Sequence, residues 1–485
     1  MANTVAVIGA GPAGATAAYV LAKKGIPVHL YEASPHVGGM ARSIQMWGQT
    51  VDIGPHRFFS ADPRVNKLWL EVIGDDYSMV DRLTRIFFCG KAYHYPLKMG
   101  NALRNLGLVE ATRCLASYVR QQLTPRSAGS EDTFEGWVTA RFGKRLYQHF
   151  FKTYTEKLWG IPADQLDSDF ARQRIKRLSL WEAVRDAILG GGSERHRTLV
   201  DQFAYPNQGT GEVYRRMCAF VADNGGQVYL NTPIHSLVTS GNTVTGIRLP
   251  TGEVRSYDQV ISSMPLTALV GRLTHVPPEV TQINRGLKFR NTLLVYLRVK
   301  GSDLFPDNWI YVHSPELLTG RITNFDNWVP SIKNGMPDTI LAMEYWCFDE
   351  DDIWRWPERR CVALATSELI RTGLVPADHI LDGAVIKVPR CYPVYRLGYR
   401  TQLAVVEDFL RGYQGLQVIG RGGAFKYNNQ DHSILMGLLA AENIADGANH
   451  DLWSVNSDDE YQESSTITET GLVTVNTKVH SPRDR

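Results

Sequence analysis

The hydrophobic and polar positions along the chain change period several times, and each change marks an element. Val5–Gly9 is an unbroken apolar run, as in a strand buried on both faces, and Ala13 to about Lys24 carries alanine and leucine at helical spacing. Pro27–Glu32 (PVHLYE) is again strand-like, so the first segment predicts a βαβ unit of about thirty residues. Further strands are predicted at Gln227–Leu230, at Val244–Leu249 and at Tyr257–Ser262, with turns at Asn231-Thr-Pro and Pro-Thr-Gly. Leu416–Gly420 (LQVIG) then leads through a glycine-rich turn into a helix from about Ser433 to Ala445. Between these blocks, residues 61–203 place leucines and aromatics at three- and four-residue steps and predict helices. Residues 270–400 mix strands such as Asn291–Val299 with loops rich in Trp, Pro and Asp. Residues 453–485 turn polar and rich in Ser and Thr, which predicts a disordered tail.

Composition narrows the class. A chain of 485 residues, 44% hydrophobic and 21% charged, is globular and too long for one core, so intertwined domains are expected. With 52 basic against 50 acidic residues, the net charge of +2 gives no field for nucleic acid. An anionic ligand must be held by a few placed arginines. The cysteines (Cys89, Cys114, Cys218, Cys347, Cys361 and Cys391) are too scattered for a zinc or redox motif and read as buried free thiols. Thr4–Ala22 is uncharged, but glycines and a proline interrupt it and no basic stretch precedes it, so a spanning or signal segment is not expected. The expected compartment is cytoplasmic. His56, His94 and His149 stand apart in the sequence, and no metal site is expected. The oligomeric state is open.

Gly9, Gly11 and Gly14 form GxGxxG at the join of the first strand and helix, and Glu32 ends the next strand 18 residues after Gly14. The glycines allow the turn, the approach of backbone to a pyrophosphate and close helix–strand packing, while the carboxylate suits a ribose. The fold class is therefore α/β. A Rossmann-type dinucleotide domain (1–60, 204–269 and 401–450) is interleaved with a helical insertion (61–203) and a mixed-sheet substrate domain (270–400).

Gly38, Gly39 and Arg42 (VGGMARS) extend the phosphate-facing loop, and this segment resembles the flavoprotein superfamily of amine oxidases and protoporphyrinogen oxidase. The resemblance implies FAD, with Val228 against the adenine and Arg421 (IGRGGAF) near the ribityl chain and pyrophosphate. Within that superfamily, the stretch RLYQHFFKTYTEKLWGIPADQL followed by ARQRIKR is similar to the UDP-galactopyranose mutases. That similarity implies that Tyr154 stacks on the nucleotide base and that Trp159 lines the mobile part of the pocket. It implies a diphosphate-binding arginine at Arg174, with Arg172 and Arg177 as substitutes, and a second at Arg321 (TGRITNFDNW). It also implies phosphate-binding tyrosines at Tyr392 and Tyr427, and His56 (DIGPHRFFS) beside the flavin. Tyr95-Pro-Leu-Lys matches a segment after an edge strand; Phe59 and Asn429 depart from the pattern on the sugar side. Taken without the resemblance, Tyr154 and Trp159 read as core aromatics, and Arg421 as a surface arginine after a strand.

The implied activity is pyranose–furanose interconversion of a nucleotide-diphosphate sugar, a UDP-sugar foremost, with Arg174, Arg321 and His56 as catalytic groups. Reduced FAD would serve as nucleophile through N5, and NAD(P)H could act as external reductant. No protein nucleophile or metal is evident, so the reactivity must come from the cofactor. Two rivals stand beside it. One is an FAD oxidoreductase of the amine oxidase or desaturase type, with Lys91 or Lys98 near N5. The other is a binding protein that keeps FAD without catalysis.

Overall fold

The computed structural model describes residues 4–95, 101, 105–124, 129–174, 202–456, 465–468 and 471–474. In chain order, the strands of its two main sheets begin with β1 (Val5–Ile8), β2 (Val28–Tyr31), β3 (Thr84–Phe88) and β4 (Lys91–His94). They continue with β5 (Gln227–Tyr229), β6 (Gln259–Ser262), β7 (Phe289–Val299) and β8 (Trp309–Val312). The last are β9 (Arg321–Asn324), β10 (Thr339–Cys347), β11 (Ile380–Pro393) and β12 (Leu416–Val418). The helices that matter for the site are α1 (Pro12–Lys23), α2 (Leu108–Leu123), α3 (Phe134–Phe142), α4 (Thr153–Trp159) and α5 (Gln430–Ala445).

The first sheet has the order β12-β6-β1-β2-β5, parallel at every pairing. A parallel sheet needs both faces covered, which explains why β1 is apolar at every position and fully buried. Helix α1 is almost entirely buried against this sheet, and α5 lies so close that a Cβ on Gly437 would stand 2.3 Å from the Ala13 carbonyl oxygen. Small residues on both helices make that approach feasible. Helix α5 starts at Gln430, three residues before the expected Ser433, because Asn429 and His432 form a reciprocal capping box.

The second sheet has the order β11-β7-β10-β9-β8-β3-β4, antiparallel except where β8 runs beside β3. Its outer strands correct one expectation. Residues 61–203 were expected to be mostly helical, with an edge strand before Tyr95 implied by the resemblance alone; β3 and β4 (which ends at His94) form a hairpin inside that range and complete the substrate sheet. Their aromatics fit helical spacing, but the hairpin's hydrogen bonds are satisfied by a strand more than 200 residues away, and that partner wins over local pattern. Two short strands, Ser465–Thr468 and Gly471–Thr474, pair within the stretch expected to be disordered.

All six cysteines are free; five are buried as expected, but Cys89 is exposed. Among the described residues, no helix is long and apolar enough to cross a membrane.

Candidate active site

The two sheets enclose a cavity of about 920 Å³, near the top of the range for small-molecule sites. Its floor comes from the β1–α1 junction. A Cβ on Gly14 would stand 1.9 Å from the Gly9 carbonyl oxygen, so only glycine lets α1 start this close to β1. Gly38 has φ +97° and bonds through its N–H to the Ala10 carbonyl, 2.8 Å away, which folds the second glycine loop back over the first. Gly39 then meets Gly11 so closely that a Cβ would lie 3.0 Å from the Gly11 Cα. Glu32 is fixed by the backbone N–H groups of Ala10 (2.8 Å) and Ser34 (2.9 Å), with its carboxylate at the cavity wall.

These residues fit a dinucleotide. Arg42 lines the cavity beside the glycine loops, and its Nε is buried without a hydrogen-bond partner. A buried donor left bare is costly, and a pyrophosphate oxygen would satisfy it. Gly9, Gly11, Gly39, Glu32 and Arg42 line the cavity, whereas Gly14 and Gly38 shape it from behind. Val228 does not reach the wall. From the sheet's edge strand it pairs with Leu30, and the chain beyond it, Thr232–Ile234, lines the cavity in its place.

The opposite wall is built of side chains. Arg321, at the start of β9, donates from Nε and Nη2 to the two carboxylate oxygens of Glu344 on β10, each at 2.6 Å. Burial works against the guanidinium's charge, but Glu344 more than offsets it and holds its pKa well above the ordinary value. Both carboxylate oxygens take Nε and Nη2, so Nη1 is the nitrogen left outside the pair. Gly54 marks where the groups converge: a Cβ there would lie 3.4 Å from Glu344 Oε1, 3.8 Å from His56 Nε2 and 3.9 Å from Arg321 Nη2. His56 Nε2 is 2.7 Å from the Ile53 carbonyl oxygen. Burial pushes this imidazole down to about 4 despite the Ile53 carbonyl, with Arg321 and Arg421 adding to the drop. It is therefore neutral near pH 7, carries its proton on Nε2 and keeps Nδ1 as an acceptor.

Arg421 follows β12 and lies against two aromatic rings, its Cζ 4.6 Å from the Tyr392 centroid and 4.3 Å from that of Tyr427. Its Nε donates to the Cys391 carbonyl (2.7 Å) and its Nη1 to that of Asn428 (2.9 Å), which fixes the planar group in place. The rings of Tyr392 and Tyr427 are themselves stacked at 5.5 Å, and burial raises the Tyr392 hydroxyl above its ordinary value. Tyr154 on α4 reaches the same cavity and stacks on His313, with centroids 4.8 Å apart and planes 18° apart.

The structure thus brings His56, Tyr154, Arg321, Tyr392, Arg421 and Tyr427 to one cavity with the glycine cradle. Trp159 is not in its wall. It is fully buried, stacked on Tyr395 at 5.7 Å and with Tyr427 5.9 Å away, so it packs behind the tyrosines and does not line a mobile edge. The side chain of Arg174 and the whole of Arg177 lie outside the described residues. Arg172 is exposed and bonds to Ser168. Lys91 is exposed, donates to the Asn105 carbonyl and is not among the lining residues, and Lys98 lies outside the described residues. His149 is not isolated, since Glu110, Cys114 and His149 bring their ligand atoms within 4.8 Å of one another. Arg145 already pairs with that Glu110, so a cation there is in place.

Glu344 and His313 went unread in the sequence. A glutamate inside the apolar run TILAMEYWC was the one signal available for the first, and nothing local distinguishes the second.

The fold and its cradle define an α/β flavoprotein. The chain belongs to the flavin containing amine oxidoreductase family, whose model matches residues 12–379, and membership implies FAD. Its relatives spread over several chemistries. A 4,4'-diapophytoene desaturase (4,4'-diapolycopene-forming) of Methylomonas sp is 23% identical over 54% of this chain and 54% of its own length. A "Probable UDP-galactopyranose mutase" of Klebsiella pneumoniae is 25% identical over 35% of this chain and 44% of its own. The chain thus spans about half the length of these curated relatives. Among solved structures, reduced UDP-galactopyranose mutase superposes with a TM-score of 0.82 at 21% identity, covering 94% of this chain and 98% of that one. Putrescine oxidase bound to putrescine gives 0.59 at 15%, covering 91% and 98%. These likenesses carry the fold.

Proposed function

We propose that the chain is a flavin-dependent enzyme acting on a nucleotide-diphosphate sugar, interconverting its pyranose and furanose forms. The observation that carries this reading is the shared cavity, in which Arg321 and Arg421, with Tyr392 and Tyr427, face the same space as the dinucleotide cradle. Gly9, Gly11, Gly39, Glu32, Arg42 and Arg421 would hold FAD. In its reduced form that group supplies an electron-rich nitrogen able to attack a sugar's anomeric carbon.

The protein's part is positional and electrostatic. Arg321, kept in plane by Glu344, offers its remaining Nη1 to a diphosphate oxygen, and the phenols of Tyr392 and Tyr427 donate beside it. A departing nucleoside diphosphate would stay gripped and available for return, its charge met by fixed donors that need no reorganisation. Neutral His56 accepts a hydrogen bond from a hydroxyl at the sugar end without adding charge. Arg174 remains a proposed second diphosphate ligand.

Photoreduced enzyme incubated with UDP-galactose, with products separated by chromatography, is expected to convert it; oxidised enzyme is not. Equal turnover in both states would sink the reading.

A second reading is favoured by one observation. Phe134, Phe142, Leu146, Phe150 and Phe151 give the cavity a broad apolar flank that would also suit a polyene or amine, as in a flavin oxidase or desaturase. Oxygen-dependent turnover of such substrates, with no effect of UDP-galactose on the flavin spectrum, would support it instead.

A further inference from the structure

A helix on the surface of a globular fold ordinarily turns its apolar stripe inward and its polar face outward. Helix α2 does the reverse. Its inward face carries Glu110, Cys114, Ser117 and Tyr118. Arg145 Nη2 donates to Glu110 Oε2 at 2.8 Å, His149 Nε2 lies 2.9 Å from Glu110 Oε1, and Ser117 Oγ accepts the Arg145 backbone N–H at 3.2 Å. Cys114 is 3% exposed, and a Cβ on Gly143 would stand 2.8 Å from the Tyr118 Cα. The apolar residues look outward instead. Of the twelve large apolar side chains exposed among the described residues, four stand on this one helix: Val109, Leu115, Val119 and Leu123, between 43% and 79% exposed. At the helical repeat they share one arc with exposed Thr112 and half-buried to exposed neighbours such as Ala116.

Charge lies along one edge of that arc. Arg113 and Arg120 are both exposed and, seven residues apart, fall on one line about 10 Å from each other along the axis. Arg113 comes within 3.5 Å of Glu110, but its side chain keeps 61% of its surface. Glu110 is the one acidic residue of the helix, and its carboxylate is already held by Arg145 and His149. The outward face is therefore apolar with charge of a single sign. A second copy seated on it about a twofold axis would present the same face, with no carboxylate for the arginines. An anionic lipid surface offers both parts what they lack: phosphates for the guanidinium groups and acyl chains for the leucines and valines.

We propose that α2 docks the protein on an anionic phospholipid bilayer, lying in the plane of the interface. Val109, Leu115, Val119 and Leu123 enter the acyl boundary, and Arg113 and Arg120 stay at the headgroup phosphates. The helix packs on α3 and on the short helix Lys144–Tyr147. Phe134, Phe142 and Leu146 of those two helices line the cavity, so its apolar flank stands one helix layer from the lipid. The inference is independent of the nucleotide-sugar reading.

The test floats the FAD-loaded full chain with vesicles of phosphatidylcholine, alone or mixed with phosphatidylglycerol. Binding to the mixed vesicles is expected to be about tenfold or more tighter, and to weaken as salt rises. Arg113→Gln combined with Arg120→Gln should remove that preference. Leu115→Gln, Val119→Gln and Leu123→Gln together should abolish flotation on both kinds of vesicle. All five positions are exposed, so both variants should keep their flavin, which absorbance checks. No flotation of the native protein, or equal flotation on neutral and anionic vesicles, would overturn the proposal. So would a native dimer in sedimentation velocity that the triple variant converts to monomer, since a second copy would then hold the face. None of these outcomes bears on conversion of UDP-galactose by the reduced enzyme.

Discussion

The two walls of the cavity are specified in different ways. The dinucleotide wall is mostly backbone, made by glycines a few residues apart, where an added carbon has nowhere to go. The sheet wall is made of side chains paired across strands, such as Arg321 with Glu344, whose partners lie far apart in sequence. The first kind of site tolerates almost no substitution but is written in local spacing. The second can be retuned by exchanging side chains, so it is where relatives sharing one fold would diverge in chemistry.

The largest expected effect tests the backbone wall. Gly14→Val would drive a branched side chain into the Gly9 carbonyl, and the purified protein should carry no flavin absorbance. A yellow, FAD-loaded variant would refute this account of the cradle. On the opposite wall, Glu344→Leu leaves a buried guanidinium uncompensated and should destabilise the fold by about 3–5 kcal/mol in denaturant titration, the usual cost of removing one partner of a buried pair. Arg321→Ala should keep its flavin and weaken UDP binding by about 1.5–3 kcal/mol, as for a hydrogen bond to a charged group. If it loses flavin and leaves UDP affinity unchanged, the two walls are not functionally separate.

The smallest effect concerns pH. His313 titrates near 6.5 when unfolded and at about 3 in the fold. Between those values the unfolded chain binds the extra proton, so stability falls as the medium is acidified from pH 7 to pH 5. The share removed by His313→Phe should be up to about 2 kcal/mol over that interval. Asp52, which burial raises to about 7, acts in the opposite direction, but it does so in both proteins. The difference between their pH–stability curves therefore isolates the histidine, and an unchanged slope would count against a neutral, buried ring.

How far the molecule could be read in advance follows the same division. The βαβ unit came within a residue or two of β1, α1 and β2 because a doubly buried parallel strand and a glycine turn leave local marks. Strand β3 was misread because its aromatics fit a helix until the distant strand β8 is known, whereas β4 ends at His94, where the resemblance implied an edge strand before Tyr95. Trp159 was expected to line the pocket but packs behind its tyrosines, since spacing along α4 does not say which face meets a cavity. Glu344 makes sense only once β9 is seen beside β10.

The parallel sheet carries one more consequence, for biosynthesis. Gln259 is the partner of Val5, and Leu416 in turn the partner of Val260. The glycine loops are made well before it, yet the platform beneath them is finished only when β12 (Leu416–Val418) has been made. Nascent chains must wait with an unpaired apolar strand, a state that invites chaperone binding. Acquisition of the cofactor then reports that translation has passed β12.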